Sequence, residues 1–419
     1  MPLLQPHELA LADRVQAISY ANPFTARRVE LEAEVLGDAF VPTGAVKAFE
    51  SGAAPNPNTP LLVDLVLAQL GCLRDRVADG GTPDDRDRRA AGHLGLFVLY
   101  HRYMGRLFEL AEVPDEGPFE VPWWNDFRAS ADELLTLAGE PLRPGDEPAR
   151  LLALFFQMAR AFVNVYAYLI GRTPAAAALR ASMWESIFTH DLARYDRALA
   201  GGACPMADVP TLITGPSGTG KELVARAVGR SAFVPFDVRK RRFAIDAEAW
   251  FLPVHLASLS PSLIESELFG HRRGAFTGAL EDRSSFLETC APYGAVFLDE
   301  LGEIDATLQV KLLRVLQTRE FRRLGGRTTR RFEGRLVSAT NRDLAVELEA
   351  GHFREDLYFR LNVIRVQIPS LRERREDVRL LSEFFIEKFA RDFRRDVRGI
   401  SGEALGLLAN YPWPGNVRE

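Results

Sequence analysis

The sequence predicts an α/β fold: a parallel sheet flanked by helices and built around a phosphate-binding loop, with a small helical lid, preceded by a mostly α-helical N-terminal region. Three observations predict it. An apolar strand beginning at Thr211 runs through a glycine-rich turn into a helix at Leu223. A second apolar strand, Ala295-Val-Phe-Leu-Asp-Glu300, ends in two carboxylates, and the residues before about Gly171 follow helical periodicity with repeated helix-start signals.

The turn after Thr211-Leu-Ile-Thr214 reads Gly215, Pro216, Ser217, Gly218, Thr219, Gly220, Lys221, Glu222. Gly215, Gly218 and Gly220 let consecutive backbone N–H groups face a polyphosphate, while the helix N-terminus and Lys221 supply positive charge. The spacing Gly215-x-x-x-x-Gly220-Lys221 fits the Walker A pattern, except that Glu222 stands where Ser or Thr usually ligates magnesium.

Burial accounts for the apolar run that precedes Asp299 and Glu300, but paired acids at a strand end do not help a core and are expected to face a cleft. At the carboxyl end of a parallel sheet Asp299 can hold magnesium, directly or through water, and Glu300 can orient the attacking water. A third strand, Arg335-Leu-Val-Ser-Ala-Thr-Asn341, placed between these two would let Asn341 sense a γ-phosphate or the water.

The bulk numbers leave room for two or three domains: 419 residues, 47% hydrophobic and 26% charged. A net charge of −5 excludes a chain given over wholly to nucleic acid. Cys72, Cys204 and Cys290 are widely spaced and suggest neither a disulfide framework nor a zinc site. The first residues lack signal-peptide blocks, so a reducing cytoplasm is expected. The segment Leu151 to Ile170 has the length of a membrane span, but Gln157, Arg160 and Asn164 favour a buried helix, and no membrane partner is expected.

Along the N-terminal region Thr59-Pro60 reads as a helix start that Gly80-Gly81 stops, a long helix is expected from His93 to Glu112, and another from Trp123-Trp124 after prolines at 114, 118 and 122. Trp123, Trp124, His93 and His101 are expected in its core rather than in a ligand pocket. Thr173-Pro174 caps a further helix. Leu192, Tyr195 and Leu199 share one face of a helix ended by Gly201-Gly202, and the basic run Arg239 to Arg242 reads as a solvated turn between a helix and a strand. The helical N-terminal region is thus expected over 1–175 and a linker and lead-in helix over 176–208, ahead of the phosphate-loop core.

Between the two strand motifs stands Glu265-Ser-Glu-Leu-Phe-Gly-His-Arg-Arg-Gly-Ala-Phe-Thr-Gly-Ala279, in which Gly274, Ala275, Phe276, Thr277, Gly278 and Ala279 set an exposed aromatic among flexible small residues. This string resembles the contact loop of the bacterial sigma-54-dependent transcription activators. The resemblance runs from about Met183 to the last residue and includes Phe297-Leu-Asp-Glu-Leu-Gly-Glu303, Lys311 to Gln317, Ala339-Thr-Asn-Arg-Asp-Leu344, Phe353 to Asn362 and Tyr411-Pro-Trp-Pro-Gly-Asn-Val-Arg-Glu419. Glu222 is then a family mark.

The resemblance implies an AAA+ ATPase, with its core over 209–370 and a helical lid over 371–419, that binds ATP and magnesium, assembles as a ring, a hexamer, and remodels the closed complex of the sigma-54 RNA polymerase holoenzyme, under a regulatory region over 1–175. It places Phe276 and Thr277 at the polymerase contact, Arg354 and Arg360 as arginine fingers reaching a neighbour's ATP, and Arg418 as the sensor in the lid. Pro216 replaces a glutamate common in the family. His255 stands where the family usually has Asn, a switch between Glu300 and the contact loop, and could still bond Glu300. The family continues past the lid into a helix-turn-helix that binds enhancer DNA, which is expected only beyond the residues present. No phospho-acceptor receiver pattern is seen in the N-terminal region, so a ligand- or partner-responsive regulator or an oligomerisation element is expected there. A remodeller of another protein partner, and a scaffold that does not hydrolyse ATP, are the competing readings.

Overall fold

The computed structural model describes residues 3–42, 56–112, 119–143, 147–202, 208–243, 247–258 and 260–419. Pro114, Pro118 and Cys204 lie outside the described residues. The chain divides into two units, one of Met1–Val163, Asp191–Ala203 and Phe233–Ile245, the other of Asn164–His190, Cys204–Ala232 and Asp246–Glu419.

The first unit is helical: α1 (Pro6–Tyr20), α2 (Ala26–Leu36), α3 (Asn58–Ala78), α4 (Asp85–Ala111), α5 (Trp124–Leu134) and the start of α6 (Pro148–Tyr168). α4 begins at Asp85, earlier than the apolar periodicity suggested, because Asp84 accepts from the backbone of Arg86 and Asp87 while Asp87 reaches back to the cap. α3 likewise starts at Asn58, not after a Thr59 cap. Trp124 is buried and Trp123 stacks on Tyr103, with ring centroids 5.5 Å apart. His101 Nδ1 donates to Phe97 O at 2.8 Å, and burial pushes its imidazole down to about 4. Among the described residues α6 alone is long and apolar enough to cross a membrane; it is largely buried, and Gln157 within it exchanges bonds with the Tyr195 hydroxyl at 2.9 and 3.1 Å.

Two later stretches belong to this unit. The helix Leu192–Ala200 buries Leu192, Tyr195 and Leu199, and its Asp196 accepts from Arg143 at 2.8 Å, Arg150 at 2.6 Å and the Tyr20 hydroxyl at 2.9 Å. Burial alone would raise the Asp196 carboxyl, but the two guanidiniums hold it below the usual range. The strands Phe236–Asp237 and Arg242–Phe243 form a hairpin whose second strand pairs antiparallel with Phe119–Glu120. The basic run is therefore the tip of a hairpin; Arg239, Lys240 and Arg241 are exposed there, and Asp237 accepts from the backbone of Arg239 and Lys240. Phe243 stacks on Phe156 at 4.2 Å.

The second unit holds a five-stranded parallel sheet of β1 (Thr211–Thr214), β2 (Phe251–His255), β3 (Ala295–Asp299), β4 (Arg335–Thr340) and β5 (Ile364–Gln367), in the order β5-β1-β4-β3-β2. Strands buried on both faces explain the continuous apolar runs. The register aligns Thr214 with Thr340 and Gln367, and Asp299 with His255, so the polar residues after each strand gather at one end of the sheet. Helices follow the strands: α7 (Pro174–Ile187) leads in, capped by Thr173 as expected, and α8 (Lys221–Arg230), α9 (Pro261–Phe269), α10 (Ala306–Thr318) and α11 (Glu355–Leu361) come after. The lid is α12 (Asp377–Asp392) and α13 (Gly402–Asn410). Asp377, 1% exposed at its start, accepts from the backbone of Arg172 at 2.6 Å and Thr173 at 3.1 Å and from the Thr173 hydroxyl at 2.8 Å.

Two outcomes follow for the first unit, read by the fluorescence of Trp123 and Trp124. Asp196→Ala leaves two guanidiniums facing each other without their carboxylate and should lower stability by about 3 kcal/mol. Glu8, held to Arg76 by bonds of 2.7 and 2.8 Å, has its carboxyl lowered to about 2, chiefly by Arg76. A depressed carboxyl contributes above its unfolded value, so that contribution, about 2 kcal/mol, is present above pH ~4.5 and lost as pH falls towards 2; Glu8→Gln should flatten the acid limb of an unfolding titration.

Candidate nucleotide site and contact loop

β1 delivers the chain to the glycine turn, and two positive φ angles make the turn possible: Gly218 at 77° and Gly220, which caps α8, at 97°. At Gly218 a side chain is excluded for a second reason, since a Cβ would lie 2.1 Å from Gly415 O in the lid. Thr219 Oγ1 donates to Pro216 O at 2.9 Å, which closes the loop on itself. Lys221 is 7% exposed and its Nζ donates to Gly215 O at 3.2 Å and Pro216 O at 3.3 Å.

Four charged groups converge there. Burial lowers the Lys221 ammonium from its ordinary value, the carboxylates of Glu300 and Asp299 oppose that shift, and the Arg418 guanidinium adds to it. Arg418 Nη1 donates to Ser217 Oγ at 3.3 Å. Glu300 takes a left-handed backbone at φ 57°, and its Oε2 accepts from Asn341 N at 3.4 Å. The strand order puts β4 between β1, which leads into the glycine turn, and β3, so Asn341 follows the strand that separates Thr214 from Asp299. Glu222 turns along α8 instead and bonds Arg226 at 2.9 Å.

His255 lies opposite Asp299 in the β2–β3 register, with Nδ1 at 3.4 Å from Asp299 Oδ2. This corrects the expected bond to Glu300: side chains alternate along a strand, and the cross-strand neighbour of His255 is the residue before the glutamate. Among the described residues no cluster of three or more His, Cys, Asp or Glu side chains could hold a metal. A single strand-end aspartate does suit magnesium, which keeps its waters and takes most of its remaining ligands from phosphate oxygens.

Arg354 caps α11, its backbone N–H bonds Gln309 Oε1 at 2.9 Å, and its guanidinium pairs with Asp356 at 2.7 Å. Arg360 donates to Leu316 O at 3.2 and 3.3 Å. Both side chains are exposed.

The loop from Gly274 to Ala279 closes by Gly274 N to Ala279 O at 2.8 Å, with Gly274 and Gly278 at φ 79° and 100°. Thr277 is exposed, but Phe276 is half-buried, edge-on to His271 at 5.0 Å, where part of the ring escapes water. The exposed aromatic expected here is thus half covered. His271 is held in turn by Ser266 Oγ at 2.8 Å. Asp282 staples the base of the loop, accepting from Arg273 N at 2.8 Å and pairing with Arg272. Sequence reasoning missed His271, Asp282 and Asn416; the first two flank the loop motif and the third stands two residues before Arg418, so proximity to quoted strings was the available signal.

Residues 197–367 match the sigma-54 interaction domain and residues 372–419 the AAA+ ATPase lid domain. Regulatory protein AtoC of Escherichia coli (strain K12) is 45% identical over 236 residues, 56% of this chain and 48% of that protein. Transcriptional regulatory protein ZraR of the same strain is 47% identical over 214 residues, 51% of this chain and 45% of that protein. The chain thus spans about half the length of these curated relatives. The crystal structure of NtrX from Brucella abortus in complex with ATP has a TM-score of 0.48 at 30% identity, covering 66% of this chain and 55% of that one. The two matches adjoin, and the chain from residue 197 to residue 419 belongs to the sigma-54 interaction domain family with its AAA+ ATPase lid.

Proposed function

We propose that this protein binds and hydrolyses ATP as a ring, a hexamer, and uses the energy to remodel the closed complex of sigma-54 RNA polymerase so that transcription begins. The observation that carries it is the convergence of Lys221, Asp299, Glu300 and Arg418 on one phosphate loop, in a chain that also bears the loop Gly274 to Ala279.

The loop from Gly215 to Glu222 holds the polyphosphate on its backbone N–H groups, with Lys221 against the outer phosphates. Asp299 would hold magnesium, which when bound neutralises charge on the phosphate oxygens. Glu300 accepts a proton from water as the water oxygen attacks the γ-phosphorus; the bond to the bridging oxygen breaks and leaves ADP and phosphate. Asn341 orients the γ-phosphate or the water, Arg418 contacts phosphate from the lid, and Arg354 and Arg360 serve a neighbouring copy, where a cation supplied in trans is worth about a thousandfold or more. Exposure of both guanidiniums supports action in trans. His255 couples the site to the contact loop through Asp299 rather than Glu300, and Phe276 and Thr277 touch sigma-54. The N-terminal unit regulates this cycle, and the protein works in the cytoplasm.

One observation favours a second reading, a scaffold that binds ATP without turning it over: His255 engages the magnesium-binding Asp299 instead of the catalytic carboxylate. Phosphate release separates the two. Under the ATPase reading the assembled protein releases phosphate, Lys221→Ala binds ATP at least about tenfold more weakly, and Glu300→Gln lowers turnover at least about a hundredfold. No release from assembled wild type would support the scaffold.

The contact loop is tested separately. Thr277→Ala should keep ATPase turnover within about twofold and lose open-complex formation on a sigma-54 promoter by about tenfold or more. Normal promoter opening by that variant would overturn the loop assignment.

A further inference from the structure

We propose that Asn416 is a positioning residue that fixes Arg418 over the phosphate loop, coupling the lid to the nucleotide. The inference rests on the ATPase reading of the same site.

Asn416 is 4% exposed, and both ends of its amide are engaged. Oδ1 accepts from Leu371 N at 2.9 Å, at the first turn of the lid, and Nδ2 donates to Ser217 O at 2.9 Å, in the phosphate loop. The orientation of the amide is set by chemistry, because Leu371 N can only donate and Ser217 O can only accept. One side chain therefore bridges the two bodies that must close on a nucleotide. Its backbone is left-handed at φ 54°, a conformation asparagine tolerates better than most residues, and its N–H is tied to Trp413 O at 3.0 Å.

The neighbours in the string extend the bridge. Val417 N donates to Gly218 O at 3.0 Å, and Arg418 Nη1 reaches Ser217 Oγ at 3.3 Å. Three consecutive residues thus bond two consecutive residues of the loop. Arg418 is on a long flexible stem, so its backbone position decides which phosphate its guanidinium can reach, and Asn416 holds that backbone.

Aspartate is the selective probe: it keeps the acceptor for Leu371 N and tolerates the backbone angle, but presents a carboxylate to Ser217 O in place of a donor. In the full chain, phosphate release is followed against ATP concentration for wild type, Asn416→Asp, Arg418→Ala and the double variant, with thermal unfolding of each. The expected result is a KM for ATP about tenfold higher in Asn416→Asp, with kcat less affected, and less than about twofold further change when the same substitution is made in Arg418→Ala. A KM within twofold of wild type overturns the inference, as does an equal penalty in both backgrounds, which would mean that Asn416 acts without Arg418. If Asn416→Asp does not fold, Asn416→Gly, which keeps the backbone angle and loses both bonds, is read in the same cycle with the same outcomes. Wild type without turnover at any ATP concentration overturns the ATPase reading and this inference together; intact turnover with an additive cycle overturns the inference alone.

Discussion

A buried ammonium facing two carboxylates is the constraint on which this structure depends. Lys221 sits almost out of water, where its charge is costly, and the opposing effect of Glu300 and Asp299 keeps the cation worth holding. That arrangement needs the carboxyl ends of β1 and β3 side by side with one strand between them. The all-parallel order supplies this, and it also brings Asn341 into the gap. Arg418 then adds like charge to the lysine, a repulsion that favours the arrival of polyanionic phosphate.

The lid is pinned at both of its ends within this unit. Asp377 accepts three bonds from the connector before α7, and Asn416 and Val417 bond the phosphate loop. Between those points the small apolar cluster around Leu371, Val378 and Leu381 includes Ile170, Trp413 and Val417, so connector, lid start and lid end share one packing unit.

The sheet and its chemistry were legible because they break a rule that cores obey. Apolar strands ending in Asp299-Glu300 or in Thr340-Asn341 put polar groups where packing has no use for them, and such residues betray a cleft without any structure in hand. What was not legible depended on distant partners. Asp196 reads as one more surface acid on an amphipathic helix until Arg143 and Arg150, some fifty residues earlier, enclose it. The hairpin around Arg239 to Arg242 reads as part of the ATPase segment because it follows α8, yet Phe243 stacks on Phe156 and its strand pairs with Phe119. The partner of His255 was misjudged for a subtler reason: motif order names the neighbours in sequence, whereas register names them in space, and the two differ by one residue at Asp299.

The loop from Gly274 to Ala279 stands on a braced base. Asp282 fixes Arg272 and Arg273, and His271, itself held by Ser266, carries the ring of Phe276. Beyond that base the glycines at 274 and 278 take the left-handed angles that close the loop, with Thr277 exposed at the tip and Leu280 79% exposed beside it. A ring half covered by an imidazole edge is held weakly enough to leave and strongly enough to have a resting place, since such contacts contribute about 1 kcal/mol beyond the area they cover.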